Sequence, residues 1–592
     1  MGARLKSAAT ARRDQSTPVT MRATMGRLLR FDSFWRAALL YVALTILLAY
    51  PISIHPATNL TSASPDTDLT MWALAWDVHA FTHQPLAIFD ANIYYPQQLT
   101  LAYSENFIGS ALLAAPVLWL TGNPVLAFNL IALTSVVLCG MGAFFLARTL
   151  RVSAAGATLA GIVFAFSPAR FLRIDQLHLG PIQWIPFCLA YLVRYLDDGR
   201  PRDLRIAVVF FTLQALTTGH GTVFLVVAVL TLVGCRLAYG TPIAVVRRVR
   251  DFGLAGAIAL VPTVLVFIPY LIVQREVGLR RELIGWSISW SSFLASPSHV
   301  HAWLLSRFPS ARILESAGAY LFPGILPIVL AAAALVWREK PVAGSNEATA
   351  VRQPDFMFAA LLTGIGLWLS VGSPFGIWPL VYWLPGFNLI RVPSRFMLLA
   401  TLGLSVLAAM GFDRVATMAL RWFDGSAGGR RAPRERLLAI VIGVLLVAEF
   451  ATMPFGIAPY VVNPPAIDRW LATRPMPFTV AEVPLPNPND LGEWERRETG
   501  FMLHSTAHWQ RTVHGYSGFR PPMHEQLYDE MTRFPSAESV RALTNLSVTY
   551  IVVHTDLYTP DDWTRVEKAI EQEPALRLEH VEGAGRVYSL PR

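Results

Sequence analysis

The chain has 592 residues, of which 54% are hydrophobic and only 15% are charged. A water-soluble core cannot bury so much apolar surface, so the composition excludes a soluble globular protein and indicates an integral membrane protein. The formal net charge of +9 comes mostly from arginines between apolar segments, which is typical of cytoplasmic membrane loops and gives no reason to expect nucleic-acid binding.

The N-terminal 35 residues form a basic tail ahead of the first apolar segment. No small-residue cleavage site follows that segment, so we predict a cytoplasmic tail at 1–35 and an uncleaved anchor. The cysteines lie inside apolar runs, and their number and spacing argue against a disulfide framework or a zinc site. They are Cys139, Cys188 and Cys235.

A membrane-spanning helix needs about 20 apolar residues. Eleven segments come near this length, and we predict that they form an all-α polytopic bundle over 36–455. They lie near 36–54, 124–147, 153–168, 180–196, 204–218, 220–238, 252–273, 316–337, 355–371, 395–413 and 436–455.

A further apolar stretch at 107–121 decides which side of the membrane the later loops face. If it spanned, arginine clusters such as the one around Arg247 would face outward, against the positive-inside rule. The stretch is short and contains Pro116, so we predict an interfacial helix on the external surface. The external regions are then the loops at 55–122, 274–315 and 372–394 and the C-terminal end.

Beyond residue 455 the charge rises and the apolar runs become short. We predict strands at 478–483 and 548–553, a capped helix at 559–574 and a hairpin at 577–590. Residues 456–592 are therefore expected to form a small extracytoplasmic α/β domain.

The first external loop carries Asp66 and Asp68 directly after the first anchor. Two acids separated by one residue in a loop can converge on a divalent cation or on an acceptor hydroxyl. The alternative is that one of them caps a helix starting near Leu69. Trp72 and Trp76 then predict an amphipathic interfacial helix, and the polar residues around it are expected to form a solvated face: Asp77, His79 and Asp90.

Glu105 follows in the same loop, where it is either a charge at a helix N-terminus or an acid of the site. His178 lies in a polar cluster next to membrane spans, and such a cluster is costly unless it lines a cavity. It is either a base or acceptor-orienting group or a hydrogen-bonded structural residue. We interpret His220 as a residue of a hairpin tip.

Arginines in the external loops depart from the positive-inside pattern. Arg391 and Arg395 flank Pro393, which makes the loop rigid, and a fixed guanidinium grips phosphate with two parallel hydrogen bonds. Contact with lipid headgroups is the alternative. Glu315 either pairs with one of these arginines or is a charge at a helix N-terminus.

The segment 504–519 is rich in polar and aromatic side chains. Ser505 and His508 lack a Gly-x-Ser-x-Gly elbow, so a serine hydrolase is poorly supported. We expect the aromatic groups to contact sugar or the membrane surface, or to form a lid over a membrane site.

The order of these features resembles the multi-spanning glycosyltransferases of the C-type fold (GT-C). These enzymes have an acidic motif in the first external loop, interfacial helices before the second span, many spans and an external C-terminal domain. Uncharacterised bacterial members have similar motifs, which read here Pro65-Asp66-Thr67-Asp68, Trp72-x-x-x-Trp76, Arg391-Val392-Pro393-Ser394-Arg395, His508-Trp509 and Gly515-Tyr516-Ser517-Gly518-Phe519.

The resemblance implies a multi-pass enzyme of the plasma or inner membrane that takes a sugar from a polyprenyl-phosphate donor. It would transfer the sugar outside, with inversion, to a cell-envelope glycan, lipid or protein. Asp66 or Asp68 would be the base, and the arginines would stabilise the leaving phosphate, with Glu105, His178 and Glu315 as further substrate-binding candidates. Many members carry adjacent acids, so the acting aspartate and any use of Mg²⁺ or Mn²⁺ stay open.

The alternatives are a transporter or flippase of lipid-linked glycans and a glycan polymerase or ligase. Transporters usually place ionisable residues at the bilayer midplane and often show internal repeats. The acids of this chain lie at predicted external span ends and no repeat is visible, which favours an enzyme. The donor sugar, the acceptor and the oligomeric state do not follow from the sequence.

Overall fold

The computed structural model describes residues 17–239, 242–278, 288, 290–307, 319–336, 353–372, 376–384, 386–423 and 431–591. Within these residues the chain is mostly helical, as predicted, and a five-stranded sheet lies near its C-terminal end.

The helices up to residue 450 are α1 (Thr17–Leu48), α2 (Pro65–His83), α3 (Ile108–Thr121), α4 (Pro124–Thr149), α5 (Ala154–Phe166), α6 (Pro168–Phe171), α7 (Trp184–Asp198), α8 (Pro201–Thr217), α9 (Gly219–Tyr239), α10 (Pro242–Ala259), α11 (Val261–Val277), α12 (His299–Leu305), α13 (Ile325–Val336), α14 (Gln353–Ser370), α15 (Trp378–Val381), α16 (Met397–Phe423) and α17 (Arg431–Phe450). Those beyond residue 450 are α18 (Ala466–Leu471), α19 (Leu491–His504), α20 (Pro522–Met531), α21 (Ala537–Asn545) and α22 (Pro560–Glu571).

Local sequence sets several helix ends. The side chain of Asn123 accepts a hydrogen bond from the backbone N–H of Leu126 at 3.0 Å and so caps α4. Ser153 caps α5 by accepting from Gly156 N–H at 3.0 Å. Gly122 ends α3 with a φ of +64°, a conformation that glycine adopts without steric cost.

Three helical stretches in the described part of the chain are long and apolar enough to cross a membrane: Pro124–Thr149, Gly219–Tyr239 and Pro393–Ala419. The bent pair Val246–Ile258 and Val261–Glu276 would add a fourth if it forms one span. Shorter apolar helices occur at three of the remaining predicted spans, namely Ser33–Leu48, Ala154–Phe166 and Ile325–Val336, and at the stretch predicted to be interfacial, Ile108–Thr121. These helices agree with the prediction of a membrane protein. The number of eleven spans remains a prediction.

The C-terminal sheet has five strands in the order β4-β3-β5-β7-β6. They are β3 (Thr479–Val483), β4 (Arg511–Thr512), β5 (Tyr550–His554), β6 (Arg577–Glu582) and β7 (Gly585–Ser589). β3 pairs in parallel with β4 and β5, and β7 pairs antiparallel with β5 and β6. The predicted strands and terminal hairpin are confirmed, and α22 begins after its cap Thr559 as expected but ends at Glu571.

The first predicted external loop packs directly against the C-terminal part of the chain. β1 (Asn59–Leu60) pairs antiparallel with β2 (Ala458–Pro459). Further along, the backbone N–H of Tyr94 donates to His514 O at 2.8 Å and that of Tyr95 to Thr512 O at 2.9 Å. α2 lies between these two contacts in the chain and packs against α19, the helix that follows β3. The candidate site lies where α2 and α19 meet.

Candidate active site

Asp66 and Asp68 lie in the first turn of α2. Ser64 caps this helix, because its hydroxyl accepts a hydrogen bond from Thr67 N–H at 3.3 Å. The alternative in which an aspartate is the cap is therefore wrong. The expectation of a loop in which both acids converge is also wrong, because residues i and i+2 of an α-helix point to different sides.

Asp66 is the exposed member of the pair. Its Oδ1 accepts a hydrogen bond from the Tyr516 hydroxyl at 3.0 Å. Burial and the neighbouring charge of Asp66 together raise the pKa of Glu495 in α19. Asp66 thus retains access to solvent while it faces the C-terminal part of the chain.

Asp68 is held more closely by the protein. Its Oδ1 accepts from the Tyr460 hydroxyl, and its Oδ2 accepts from Thr499 Oγ1 at 3.2 Å. Burial raises the pKa of Asp68, and the two hydroxyl donors offset part of that rise by favouring the carboxylate. Asp68 therefore joins α2 to α19 and to the segment after β2.

Arg391 and Arg395 lie immediately before α16, and the 3₁₀ turn Pro393–Phe396 connects them to it. Arg391 is exposed, and Arg395 is partly buried. The charge of Arg395 interacts with those of Arg391 and Asp66. The structure thus brings Asp66, Arg391 and Arg395 near enough for their charges to interact, whereas their predicted roles as base and phosphate ligands remain predictions.

A second contact to Arg395 involves Glu105 and His220. Glu105 Oε1 lies 2.5 Å from His220 Nδ1, and Arg395 Nη1 lies 2.6 Å from His220 Nε2. Glu105 Oε2 accepts from the backbone N–H of Gly219 at 2.6 Å. The hairpin-tip interpretation of His220 is wrong, because this residue lies in the first turn of α9 and links an acid to an arginine.

His178 lies beside the same group. Its ring centroid is 6.0 Å from that of His220, and the charges of Arg395, His220 and Arg173 act on it. Burial lowers the pKa of Arg173, and the neighbouring Asp175 partly opposes this effect. The predicted candidates Glu105, His178 and Arg395 therefore come together, whereas Glu315 lies outside the described residues.

The expectation of an interfacial helix carrying Trp72 and Trp76 is wrong in one respect, because both side chains are buried. Their rings lie 6.2 Å apart, and Trp76 also packs against Trp509 at 6.0 Å. Asp77 is fully buried rather than solvated, and burial raises its pKa well above the ordinary value. Asp90 is exposed, as expected.

Trp509 packs on α2 through a second contact, since its ring is stacked on that of His79 at 4.5 Å. Burial, followed by the neighbouring charge of His83, lowers the pKa of His79 to about 4. The aromatic segment after α19 therefore packs on α2 of the first loop.

A metal bound jointly by Asp66 and Asp68 does not fit the observed geometry. The two carboxylates leave α2 in different directions, and three of their four oxygens accept hydrogen bonds from protein hydroxyls. No chemical step is therefore assigned to Mg²⁺ or Mn²⁺, and use of either ion remains a prediction.

Glu498, His514 and His524 form a buried group with metal-like spacing. His514 Nε2, however, accepts a hydrogen bond from Glu482 N–H at 2.8 Å, so its proton resides on Nδ1, which faces Glu498 Oε1 at 3.1 Å. That nitrogen has no lone pair for a metal. Burial alone would raise the pKa of Glu498, but the charges and hydrogen bonds of the two histidines outweigh burial and lower it.

Ser505 and His508 do not form a catalytic pair. Ser505 Oγ donates to Met502 O at 2.7 Å and accepts from Asn92 Nδ2 at 3.0 Å. His508 Nδ1 accepts from Gln510 N–H at 3.0 Å. Both side chains are used in structural contacts, which agrees with the absence of a nucleophile elbow.

The sequence did not identify three residues of the site as such. His220 was misinterpreted, although a histidine preceded and followed by glycine at a helix start was a visible signal. Tyr460 and Thr499 have no local signal, because only the docking of α2 against the C-terminal part brings their hydroxyls to Asp68. Tyr516 lies within a segment that was predicted to be polar and aromatic.

No protein-family model matches the chain, and no curated protein matches it by sequence. Its fold is similar to those of multi-spanning transferases. The archaeal oligosaccharyltransferase AglB from Archaeoglobus fulgidus, in complex with an inhibitory peptide and a dolichol-phosphate, matches with a TM-score of 0.44 and 13% identity, over 96% of this chain and 75% of that one.

ArnT from Cupriavidus metallidurans matches in two structures. The apo form has a TM-score of 0.42 and 13% identity, over 96% of this chain and 98% of that one. The form bound to undecaprenyl phosphate has a TM-score of 0.42 and 13% identity, over 94% and 97%. At the level of the fold, these matches agree with the resemblance expected from the sequence.

Proposed function

We propose that the chain is a membrane glycosyltransferase that takes a sugar from a polyprenyl-phosphate donor and transfers it, with inversion, to a cell-envelope acceptor. The single observation that supports this proposal most is that Asp66 lies near enough to Arg395 for their opposite charges to interact. Glycosyl transfer from a lipid phosphate needs both a base near the acceptor and positive charge near the leaving phosphate. Arg391 also acts on Tyr516, the hydrogen-bond donor to Asp66.

Asp66 is the proposed base, because it is exposed and faces the arginines, whereas the oxygens of Asp68 are held by Tyr460 and Thr499. The acceptor hydroxyl gives its proton to Asp66 as its oxygen bonds to the anomeric carbon. The bond from that carbon to the phosphate oxygen breaks, and the electron pair leaves with the polyprenyl phosphate. Arg391 and Arg395 stabilise the charge of that phosphate.

The reaction is placed on the external face of the plasma or inner membrane. Its support is the predicted topology: Asp66, Glu105 and His178 fall in predicted external segments, and Arg395 lies at the external end of a predicted span. In the structure these residues lie near one another. The eleven spans over 36–455, the cytoplasmic tail at 1–35 and the extracytoplasmic domain at 456–592 are part of the same proposal. The acceptor is a glycan, lipid or protein.

Replacement of the two aspartates separates their roles. Asp66→Asn should lower transfer of labelled sugar from a polyprenyl-phosphate donor by about 10²–10⁴-fold, the usual range for general-base catalysis. Asp68→Asn should have a smaller effect, because it alters a contact between segments. Asp561→Asn is a matched control, since Asp561 is also an exposed acid in the first turn of a helix. Full activity of Asp66→Asn would refute the assignment.

A further inference from the structure

Arg395 makes its shortest described contact with His220. The carboxylate of Glu105 in turn fixes the orientation of the His220 ring. Glu105 comes from the loop before α3, His220 from the first turn of α9, and Arg395 from the turn before α16. The two contacts along this series measure 2.5 Å and 2.6 Å. All three side chains are partly buried, so water competes weakly for these hydrogen bonds.

The contacts assign the proton on His220. A guanidinium can only donate hydrogen bonds, so His220 Nε2 must present its lone pair to Arg395. The ring proton then resides on Nδ1, which points at the Oε1 carboxylate oxygen of Glu105. A carboxylate behind a histidine commonly fixes the tautomer and the ring orientation in this way.

Glu105 is itself held in place by the start of α9. Its Oε2 accepts from Gly219 N–H at 2.6 Å, where a carboxylate also meets the positive end of the helix dipole. A Cβ atom at residue 219 would lie only 3.3 Å from that oxygen, so glycine permits the close approach. Burial alone would raise the pKa of Glu105, but the hydrogen bond from His220 and the backbone donors outweigh it and lower the pKa.

We infer that Glu105 and His220 are positioning residues that hold the Arg395 guanidinium in the orientation in which it binds the phosphate of a lipid donor. A guanidinium has five N–H donors, and the contact with His220 uses one edge of this group, leaving others for phosphate oxygens. The inference rests on the proposed function for the identity of the donor. It goes beyond that function by giving His220 a role and by explaining why an acid lies so close to a phosphate-binding arginine.

A purely structural role makes a different prediction. If Glu105 only caps α9 and His220 only fills space, then replacement of His220 should change stability and leave phosphate affinity per folded molecule unaltered. If the histidine positions Arg395, its loss should weaken phosphate binding, and a side chain that can again accept a hydrogen bond from Arg395 should restore it.

The test compares His220→Ala, His220→Gln and His580→Ala in the full-length protein purified in detergent. His580 lies in β6, remote in the fold from α9, and serves as the matched histidine control. The readouts are the Kd for a short-chain polyprenyl phosphate and, separately, KM and kcat for sugar transfer. Size-exclusion profiles and melting temperatures report folding.

We expect His220→Ala to raise the Kd and the donor KM by about 10-fold to 100-fold, the size of a lost hydrogen bond to a charged group. kcat should fall less than kcat/KM. His220→Gln should recover much of the affinity, because its amide oxygen can accept from Arg395. The Kd of Glu105→Gln should lie between those of His220→Ala and His220→Gln, since the glutamine amide has one oxygen and cannot accept from both the imidazole and Gly219 N–H.

Unchanged phosphate affinity in folded His220→Ala, or equal weakening in His220→Gln and His220→Ala, would overturn the inference. Failure of the proposed function gives a different result in the unmodified protein, which would then bind polyprenyl phosphate without transferring sugar. The Kd values of the His220 variants would still decide the positioning role. Asp66→Asn should keep phosphate affinity while it loses transfer.

Discussion

Asp66 and Asp68 show how two identical side chains acquire different properties through their neighbours. One is exposed and receives a single hydroxyl donor, whereas the other is partly buried and receives two. A base must reach its substrate, so access favours Asp66 despite the raised pKa of Asp68. Their helical spacing separates the two carboxylates in space and removes the reason to treat them as one motif.

The pair His554 and Glu482 in the sheet gives a pH-dependent prediction. Burial alone would lower the pKa of His554, but its 2.6 Å contact with Glu482 and the charge of that residue outweigh burial and raise it. A histidine with a raised folded-state pKa contributes stability below its unfolded pKa of about 6.5, and this contribution disappears as the pH rises through the folded value.

We therefore expect the melting temperature of the detergent-solubilised protein to fall as the pH rises above about 6.5, and the fall to be smaller in His554→Gln. Thermal unfolding across that pH range provides the measurement. His580→Ala is the control, because His580 is another histidine of the sheet, in β6, and its ring is stacked on that of Trp470. A melting temperature that is independent of pH in the unmodified protein would contradict the prediction.

The sequence singled out a residue as a site candidate where a charged side chain lies in an otherwise apolar or positive-inside context. Asp66 and Arg395 are charges at predicted span ends, and charges there require an explanation, so both were identified. Glu105 stayed ambiguous between a charge at a helix N-terminus and an acid of the site. The structure places it at the N-terminus of α9, not at that of the helix that follows it in the chain, and next to His220. His220 was missed because neighbouring glycines suggest a turn, whereas here Gly219 makes room for a carboxylate.

Glycines determine how closely several helices approach. A Cβ atom at Gly411 in α16 would come within 1.7 Å of Leu330 O in α13, so the backbones touch at that position. At Gly443 in α17 the nearest atom to an added Cβ lies 3.6 Å away, which is ordinary contact. Small residues commonly permit such close packing between membrane helices.

Gly411→Ala should therefore destabilise the protein by about 1–3 kcal/mol, because α13 and α16 must move apart to admit the methyl group. Gly443→Ala should be neutral or stabilise slightly, since alanine is the better helix former by about 1 kcal/mol. Melting temperatures and yields of folded protein in detergent measure the difference. Equal behaviour of the two variants would mean that the crossing of α13 and α16 is looser than described.

Secondary structure followed from the sequence where the pattern was local. The strands β3 and β5 are short apolar runs between turn residues, and α22 begins with a capping threonine, a proline and two acids. The environment of α2 did not follow. Its tryptophans pack against Trp509 and other residues far along the chain, and no local pattern distinguishes such packing from contact with lipid headgroups.

The molecule as a whole places regions from distant parts of the sequence on one side. The loop containing Asp66, the turn before α16 and the segment around Tyr516 meet at the candidate site. The predicted topology assigns all three to the external face if the stretch at 107–121 is interfacial. Their meeting in the structure is what that topology requires.

Labelling of single cysteines tests the sidedness. Ala63→Cys and Lys568→Cys should react with a membrane-impermeant maleimide from outside, whereas Asp198→Cys, in a predicted cytoplasmic loop, should react only after permeabilisation. All three positions are exposed, and the native cysteines are buried and should contribute little background. Labelling of Ala63→Cys and Lys568→Cys from opposite sides would contradict both the proposed topology and the described packing.

The hydroxyls that meet the first-loop acids come from very late in the chain. Tyr460 lies 392 residues after Asp68, and Tyr516 lies 450 residues after Asp66. During synthesis, α2 is therefore made long before its partners exist. A growing chain that contains only its first segments therefore has an incomplete candidate site, and only the nearly finished polypeptide supplies the hydroxyls that contact Asp66 and Asp68.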